Sequence, residues 1–484
     1  MPDYEFDLIV IGGGPAGVTA ALRASELGAR TALVERSRMG GTCTNDGCVP
    51  TRVLARAARL IRDARQFEDY GLIATAPELD FEALMTRIQQ VVYTIHEKKQ
   101  LIRHLEDSDV AVFTNTGSAR FIDPHRIATM DGARYRAGRF IVSVGGRPRR
   151  LPFPGADLAL THNDVWSLRA LPRSVAIIGG AATGCQLASI FAAFDSEVTL
   201  LDIAPHILPA EDPEISAGMQ TDFETHGIRI ETGIQGVDRI DQGPNGRVLH
   251  YRCEGEARTL EPEAVIFAVG WPGNIESLDL PAAGVRTNGS YVEVDECQRT
   301  NVPHILAAGD ITGRMMLVQS AGYEARIAAE NAVAEHPRPV RHQIVPHGGF
   351  TDPEYASVGM TERQAADRGD YACATIHYSQ MDRAVIDGRT EGFCKLIADP
   401  RDHILLGAHV MGEQALEIVH LVASGMAAGI TVDQLAALEI AYPTYTAAVG
   451  LAARKLAAEL AGTTPALAWR ELDRPATAEW EIES

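Results

Sequence analysis

This sequence predicts an α/β fold: two three-layer nucleotide-binding domains, completed by an α+β domain toward the C-terminal end. Three observations predict it. A strand, a glycine-rich turn, a helix and a second strand ending in an acid follow one another from Asp7 to Glu35, and the same order returns from Ser174 to Asp202. Two cysteines, Cys43 and Cys48, stand directly behind the first of these units. A chain of 484 residues with 46% hydrophobic content leaves room for three or four domains with substantial cores.

The first unit opens with a buried strand, Asp7 to Ile11. Gly12-Gly13-Gly14-Pro15-Ala16-Gly17 and a helix through Ala20, Leu22 and Leu27 follow. In such a Rossmann-like unit Gly12 makes the turn, Gly14 lets the backbone approach a pyrophosphate, and Gly17 packs helix on strand. The pyrophosphate sits at the helix N-terminus, where free N–H groups and the helix dipole favour an anion. The second strand, Arg30 to Val34, ends in Glu35, which is placed to accept a ribose hydroxyl.

The next segment, Gly40-Gly41-Thr42-Cys43-Thr44-Asn45-Asp46-Gly47-Cys48-Val49-Pro50, carries the chemistry. Cysteines this close can close a small disulfide ring, and Gly41 and Gly47 supply the tight backbone it needs. Pro50 suits the first turn of a helix running through Leu54, Ala58 and Ile61. Cys48 then lies at the positive end of that helix, where a thiolate is stabilised and its pKa lowered. Such a pair stores two electrons and hands them on. An Ala- and Arg-rich helical region runs from Thr51 to Leu105, and the spacing from Phe81 to Leu105 predicts one long amphipathic helix.

The second unit has strands Ser174 to Ile178 and Glu197 to Leu201, joined by Gly179-Gly180-Ala181-Ala182-Thr183-Gly184 and a helix. Ala181 stands where the middle glycine is expected, so a methyl partly obstructs the pyrophosphate. Asp202 can hold an adenosine ribose and would repel a 2′-phosphate. No arginine follows it in Ile203-Ala204-Pro205-His206, which favours NADH over NADPH.

A net charge of −20 argues against nucleic acid and anionic membranes as partners, on average over the surface. The N-terminus lacks the basic start and long apolar run of a signal peptide. No stretch reaches the length of a membrane span. Seven cysteines, an odd number, do not make a secreted framework, and one close pair suits a cytoplasmic protein with a catalytic disulfide. Cys185, Cys253, Cys297, Cys373 and Cys394 read as core or surface thiols.

With these residues in place, the chain resembles the class I flavoprotein (pyridine nucleotide) disulfide oxidoreductases, the family of dihydrolipoyl dehydrogenase and the mercuric reductase core. The resemblance spans roughly residues 5 to 455. Ile141-Val142-Ser143-Val144-Gly145-Gly146-Arg147-Pro148 resembles the segment that closes the FAD domain. Ala307-Ala308-Gly309-Asp310 resembles the second FAD motif, whose Asp contacts the ribityl chain. Phe350-Thr351-Asp352-Pro353-Glu354 with Val358-Gly359 resembles the start of the dimer-interface domain. The implied organisation is an FAD-binding domain at 1–150 and 281–342, an NAD(P)-binding domain at 151–280, an interface domain at 343–462 and an acidic tail at 463–484. The same resemblance carries Gly12, Gly14, Gly17, Glu35, Gly41, Thr42, Gly117, Ala119, Ser143, Gly145 and Asp310 to the flavin. It carries Gly179, Gly184, Asp202, Val237 and Gly270 to the nicotinamide nucleotide. It implies a homodimer, with Cys48 facing the flavin and Cys43 facing the substrate.

Three departures from the family pattern concern the reaction. A Lys–Glu ion pair expected near the flavin reads Arg52 and Gln186 here. The chain has only four lysines (Lys98, Lys99, Lys395 and Lys455), so Arg52 fits an Arg-rich composition, and Gln186 can still hydrogen-bond it. The third departure is the C-terminal His-Pro pair of thiol-handling members, where His is the acid–base catalyst. The segment here is Ala441-Tyr442-Pro443-Thr444-Tyr445, with no carboxylate close behind. Mercuric reductase cores also lack that His and carry aromatic residues around the same Pro. A soft metal ion held by two thiolates needs no general base, but no Cys follows Cys394 to deliver one. The reading is an NAD(P)H-dependent reductase whose Cys43–Cys48 disulfide passes electrons to a small disulfide, a quinone or a soft metal ion. Tyr442 or Tyr445 from the second subunit would orient the acceptor; His409 and His420 are alternative bases. Two other readings stay open: an NADH diaphorase or oxidase that bypasses the dithiol, and a non-catalytic flavin redox sensor.

Overall fold

The computed structural model describes residues 4–73, 75–334 and 336–463. The acidic tail expected at 463–484 therefore lies, from residue 464 onward, outside the described residues. The described residues divide into two compact units, 4–205 with 226–343, and 206–225 with 344–463.

The first unit contains both repeats of the strand–turn–helix motif. Phe6–Ile11 and Thr31–Val34 pair in parallel, flanked by Val110–Phe113 on one side and Arg134–Val142 on the other, with Ile305–Ala307 beyond. The sheet is buried on both faces: helices cover one, and Ala119, Phe121, Ile127, Leu278 and Val292 pack against the other. Pro15–Glu26 packs against Val318–Val333 on one face, burying Ala20, Ala21, Ala24, Ala325 and Ala328; small side chains let the two helices approach closely. The second repeat uses the same strand logic. Ser174–Ile178 lies between Glu197–Leu201 and Ala264–Phe267, all parallel.

The two repeats match residue for residue at their turns. Gly12 and Gly179 both have positive φ, +108° and +110°, a conformation that L side chains rarely adopt. A Cβ on Gly17 would stand 1.7 Å from Gly12 O, and one on Gly184 would stand 1.7 Å from Gly179 O. Gly17→Ala is therefore expected to force the first helix off its strand. Overpacking of this kind costs about 1–3 kcal/mol, a factor of about 5 to 150, so affinity for the flavin that the resemblance implies should fall about fivefold or more. The flavin-to-protein ratio of the purified variant, titrated with added FAD, is the check.

One expectation needs correction. The predicted helix from Phe81 to Leu105 is two helices, Phe81–Lys99 and Leu101–Glu106. Gln100 interrupts them with φ +45° and ψ +46°, a left-handed C-cap whose N–H donates to His96 O. Apolar spacing carries across the break, so periodicity alone does not reveal it.

The second unit is an antiparallel sheet in the order 347–349, 355–359, 405–411, 393–398 and 372–377. The helices Ala415–Ala428 and Ala447–Leu460 cover it, burying Ile418, Val422, Val449 and Leu456. The helix Pro213–Thr225 belongs to this unit although the sequence around it belongs to the second repeat.

Candidate active site

The redox loop begins where the first repeat ends. Gly40, at φ +97°, starts a short helix, Gly41–Asn45, and Cys48 opens the helix Cys48–Ala64. Both cysteines are free thiols in this structure, and they hydrogen-bond each other. The Cys43 thiol is pulled down to about 7. The bond from Cys48 is the largest cause, Lys99 adds to it, and burial and Asp310 oppose it. The Cys48 thiol is pushed up, because it gives its proton to that bond, its surroundings remove hydration, and a second anion beside Cys43 is repelled.

The sequence places a lowered pKa on Cys48; in the structure the two thiols share one hydrogen bond, and the lowered first ionisation belongs to the pair. Cys48 does occupy the helix N-terminus, but the sulfur–sulfur hydrogen bond outweighs the helix end. The pair titrates as one: its first proton leaves easily with Cys43 as the anion, and its second with difficulty.

The surrounding cradle fits a dinucleotide. Gly14 caps the first helix without any side-chain bond, leaving the N-terminal N–H groups open to an anion. A Cβ on Gly41 would stand 2.8 Å from Gly14 Cα, so two bare backbones meet beside the redox loop. Glu35 is buried at the end of its strand. Its Oε2 accepts from Gly13 N at 2.6 Å and its Oε1 from Ser37 N at 2.8 Å, leaving lone pairs for a ribose. Ser143 Oγ donates to Ile11 O at 3.0 Å, Gly145 turns left-handed, and Thr42 lies one position before Cys43. Gly117 and the buried Ala119 lie on the segment leading into strand Ala119–Asp123.

Asp310 follows the strand Ile305–Ala307 and is close enough to act electrostatically on both cysteines. Burial pushes its carboxyl up, against the bond from Trp271 Nε1 at 2.9 Å. Gly309 N donates to Glu324 Oε2 at 2.8 Å, and Glu324 Oε1 meets His342 Nε2 at 2.9 Å.

The second glycine turn copies the geometry of the first. Asp202 Oδ2 accepts from Gly180 N and Oδ1 from Ala204 N at 2.6 Å, the arrangement of Glu35. Ala181 has φ −82° and ψ −174°, against −77° and −176° for Gly14. Its methyl therefore costs no backbone strain and takes up only space at the open helix end. Gly270 turns left-handed after the strand Ala264–Phe267, and Val237 lies half-buried on the strand Gly236–Gln242.

Arg52 and Gln186 lie on helices that pack together, Cys48–Ala64 against Ala182–Ala193, with Arg62 reaching Ser189 O at 2.6 Å. Arg52 is exposed, and Gln186 Nε2 donates to Ala182 O at 3.1 Å.

The two tyrosines part company. Tyr442 is 75% exposed and donates a hydrogen bond from its hydroxyl to Asp382, which raises its pKa. Tyr445 is 2% exposed and packs against Tyr378 in the core of the second unit. Tyr445 is thus a packing residue in this chain, not a companion of Tyr442 in holding an acceptor. His409 is fully buried, and His420 bonds to Leu416 O one turn back in its own helix.

Sequence reading missed three contacts of the redox loop and one at Asp310. Trp166 Nε1 donates to Asp46 O at 2.6 Å, and Trp271 holds Asp310. His96 Nε2 meets Asn45 Oδ1 at 2.8 Å, and Lys99 Nζ donates to Thr44 Oγ1 at 3.3 Å. The signal was rarity: tryptophan and lysine number only four each in the chain.

Residues 6–325 match the family model described as pyridine nucleotide-disulphide oxidoreductase, and residues 345–453 match its dimerisation domain. The chain is 33% identical to the dihydrolipoyl dehydrogenase of Zymomonas mobilis, over 87% of this chain and 91% of that protein. It is 30% identical to the mercuric reductase of Lysinibacillus sphaericus, over 94% of this chain and 82% of that protein. Among solved structures, the HOCl-induced flavoprotein disulfide reductase RclA from Escherichia coli superposes with a TM-score of 0.83 at 28% identity, covering 93% of this chain and 99% of that one. The Cu(II) complex of RclA superposes with a TM-score of 0.82 at 28% identity, covering 94% and 99%.

Proposed function

The chain belongs to the pyridine nucleotide-disulphide oxidoreductase family, and from that premise we propose that it is an NADH-dependent reductase of a small disulfide. The observation that carries this reading is the hydrogen-bonded Cys43–Cys48 pair set between a glycine cradle and Asp310. Gly12, Gly14, Gly17, Glu35, Gly41, Thr42, Ser143 and Asp310 would hold FAD, which links the two-electron donor NADH to the dithiol. Asp202, engaged by two backbone N–H groups and followed by no arginine, supports NADH over NADPH.

The chain's own residues then complete the exchange. Cys43, the more acidic thiol, attacks one sulfur of the acceptor; the acceptor S–S bond breaks and a first thiolate leaves. Cys48 then attacks Cys43 Sγ, releases the second thiolate and closes the Cys43–Cys48 bond. The sum is NADH, one proton and a disulfide giving NAD⁺ and two thiols. Tyr442, contributed across a homodimer, orients the acceptor and does not shuttle its proton, because Asp382 raises its pKa.

A thiophilic metal ion is the second reading. It is favoured by the likeness to a mercuric reductase and to a protein solved with Cu(II), and by the absence of an imidazole before Pro443.

Anaerobic titration of the flavin-loaded protein with NADH tests the proposal. Two-electron reduction should produce a long-wavelength thiolate-to-flavin band, with NADH acting at lower concentration than NADPH. Flavin bleaching without that band would overturn the dithiol route, and an equal response to NADPH would overturn the nucleotide preference.

A further inference from the structure

The chain carries a net charge of −20, yet two of its four lysines are neighbours, Lys98 and Lys99. They close the helix Phe81–Lys99, whose last turn lies against the redox loop. Two contacts pin that turn: Lys99 Nζ to Thr44 Oγ1 at 3.3 Å, and His96 Nε2 to Asn45 Oδ1 at 2.8 Å. Thr44 and Asn45 directly follow Cys43 in the short helix Gly41–Asn45. The close approach depends on Gly40, where a Cβ would stand 3.0 Å from Thr44 Cβ and 3.2 Å from His96 Cε1. Thr44 is buried, so the ammonium of Lys99, an exposed residue, has a fixed seat one residue from the attacking sulfur.

The charges around this end of the loop are mixed but unequally placed. Cys48, Lys99 and Asp310 act on Cys43. Asp310 is mostly buried and bonded by Trp271. Arg38 and Lys99 together act on His96, with Glu97 opposing. The solvent-facing group beside Cys43 is thus a cation.

We propose that Lys99 sets acceptor specificity at Cys43: it makes the approach to the redox loop cationic, and the acceptor it selects is a disulfide bearing carboxylates or other anionic groups. This rests on the reductase reading above and narrows its substrate class. A surface averaging −20 repels an anion at long range. At 0.1 M salt that repulsion fades beyond about 10 Å, and the nearest fixed charge decides the final approach. The same charge disfavours a free divalent cation, which sets this class apart from the metal-ion reading.

The test uses flavin-loaded protein reduced with dithiothreitol, freed of it anaerobically, and alkylated in parallel with anionic iodoacetate and neutral iodoacetamide. Labelling at Cys43 is followed by peptide mass. The ratio of the two rates cancels any change in thiolate fraction and reads only the local field. Lys99→Met should lower the iodoacetate-to-iodoacetamide ratio about fivefold at low salt, the factor given by about 1 kcal/mol for unit charges 4 Å apart in water. Lys99→Arg should keep the parental ratio, and added salt should bring the parent toward Lys99→Met. A Lys99→Met ratio equal to the parent's, in protein with full flavin content, overturns the proposal. Labelling needs no NADH, so failure of NADH to reduce the pair would sink the reductase reading and leave this ratio untouched.

Discussion

Cys43→Ser is expected to abolish NADH-driven reduction of disulfides while NADH still reduces the bound flavin. Loss of a nucleophile in a covalent mechanism can cost about 10⁶-fold, so a fall of at least about 10³-fold is expected above background. The paired measurement is flavin reduction in a stopped-flow instrument and steady-state acceptor turnover on the same sample. Parental turnover in this variant would mean that electrons leave the flavin directly, as in a diaphorase or oxidase. The parent should also show a pH signature. Only the thiolate reacts, so iodoacetamide labelling of Cys43 should rise about tenfold per pH unit below its pKa of about 7 and level off above it. A profile centred near the ordinary thiol value of about 8.5 would remove the role given to the Cys48 hydrogen bond.

Lys395→Met should be the most damaging single change in the second unit. Lys395 is 2% exposed and reaches Asp212 Oδ1 at 3.0 Å, Glu214 Oε2 at 3.3 Å and Glu362. Asp212 is fully buried, with His409 Nε2 at 3.7 Å. Removing one partner of a buried ion pair costs about 3–5 kcal/mol because the other charge is left unpaired. Glu214 and Glu362 still reach solvent, so the lower end, about 3 kcal/mol, is expected. Adding Asp212→Asn should recover part of the loss by removing the stranded charge. Urea unfolding of the flavin-loaded protein, followed by a probe in the second unit, checks both. An unchanged midpoint in Lys395→Met would show that the cluster contributes nothing net.

The same cluster gives a direction with pH. Burial would raise Asp212 and Glu211, but His409, Lys395 and a backbone N–H hold Asp212 below the carboxylate range, and His347 does so for Glu211. Lys395 lowers Glu362 directly. The folded state therefore binds these protons more weakly than the unfolded chain. Their contribution is complete above the unfolded value of about 4 and is lost as pH falls below it through the depressed folded values. His347 runs the other way: Glu211 raises it, so its contribution is complete below about 6.5 and fades as pH rises through the raised value.

The residues that sequence alone determined are those whose role is local. Gly12, Gly14 and Gly17 follow from the backbone of one turn. Glu35 and Asp202 follow from the end of the second strand of one strand–turn–helix–strand unit, 22 positions from the turn N–H each accepts from, and Cys43 and Cys48 from a spacing of five. Each is a short-range relation with few alternatives, so the order of residues encodes it. Tertiary structure decided what depends on neighbours distant in sequence. Lys99 meets Thr44 across 55 positions and Trp166 meets Asp46 across 120. Tyr445 was drawn into a core while Tyr442, three residues earlier, stayed at the surface. The hydrogen bond between Cys43 and Cys48 is of the same kind. A helix end is visible in a sequence, whereas the proton shared between two sulfurs depends on distances that only the folded chain sets.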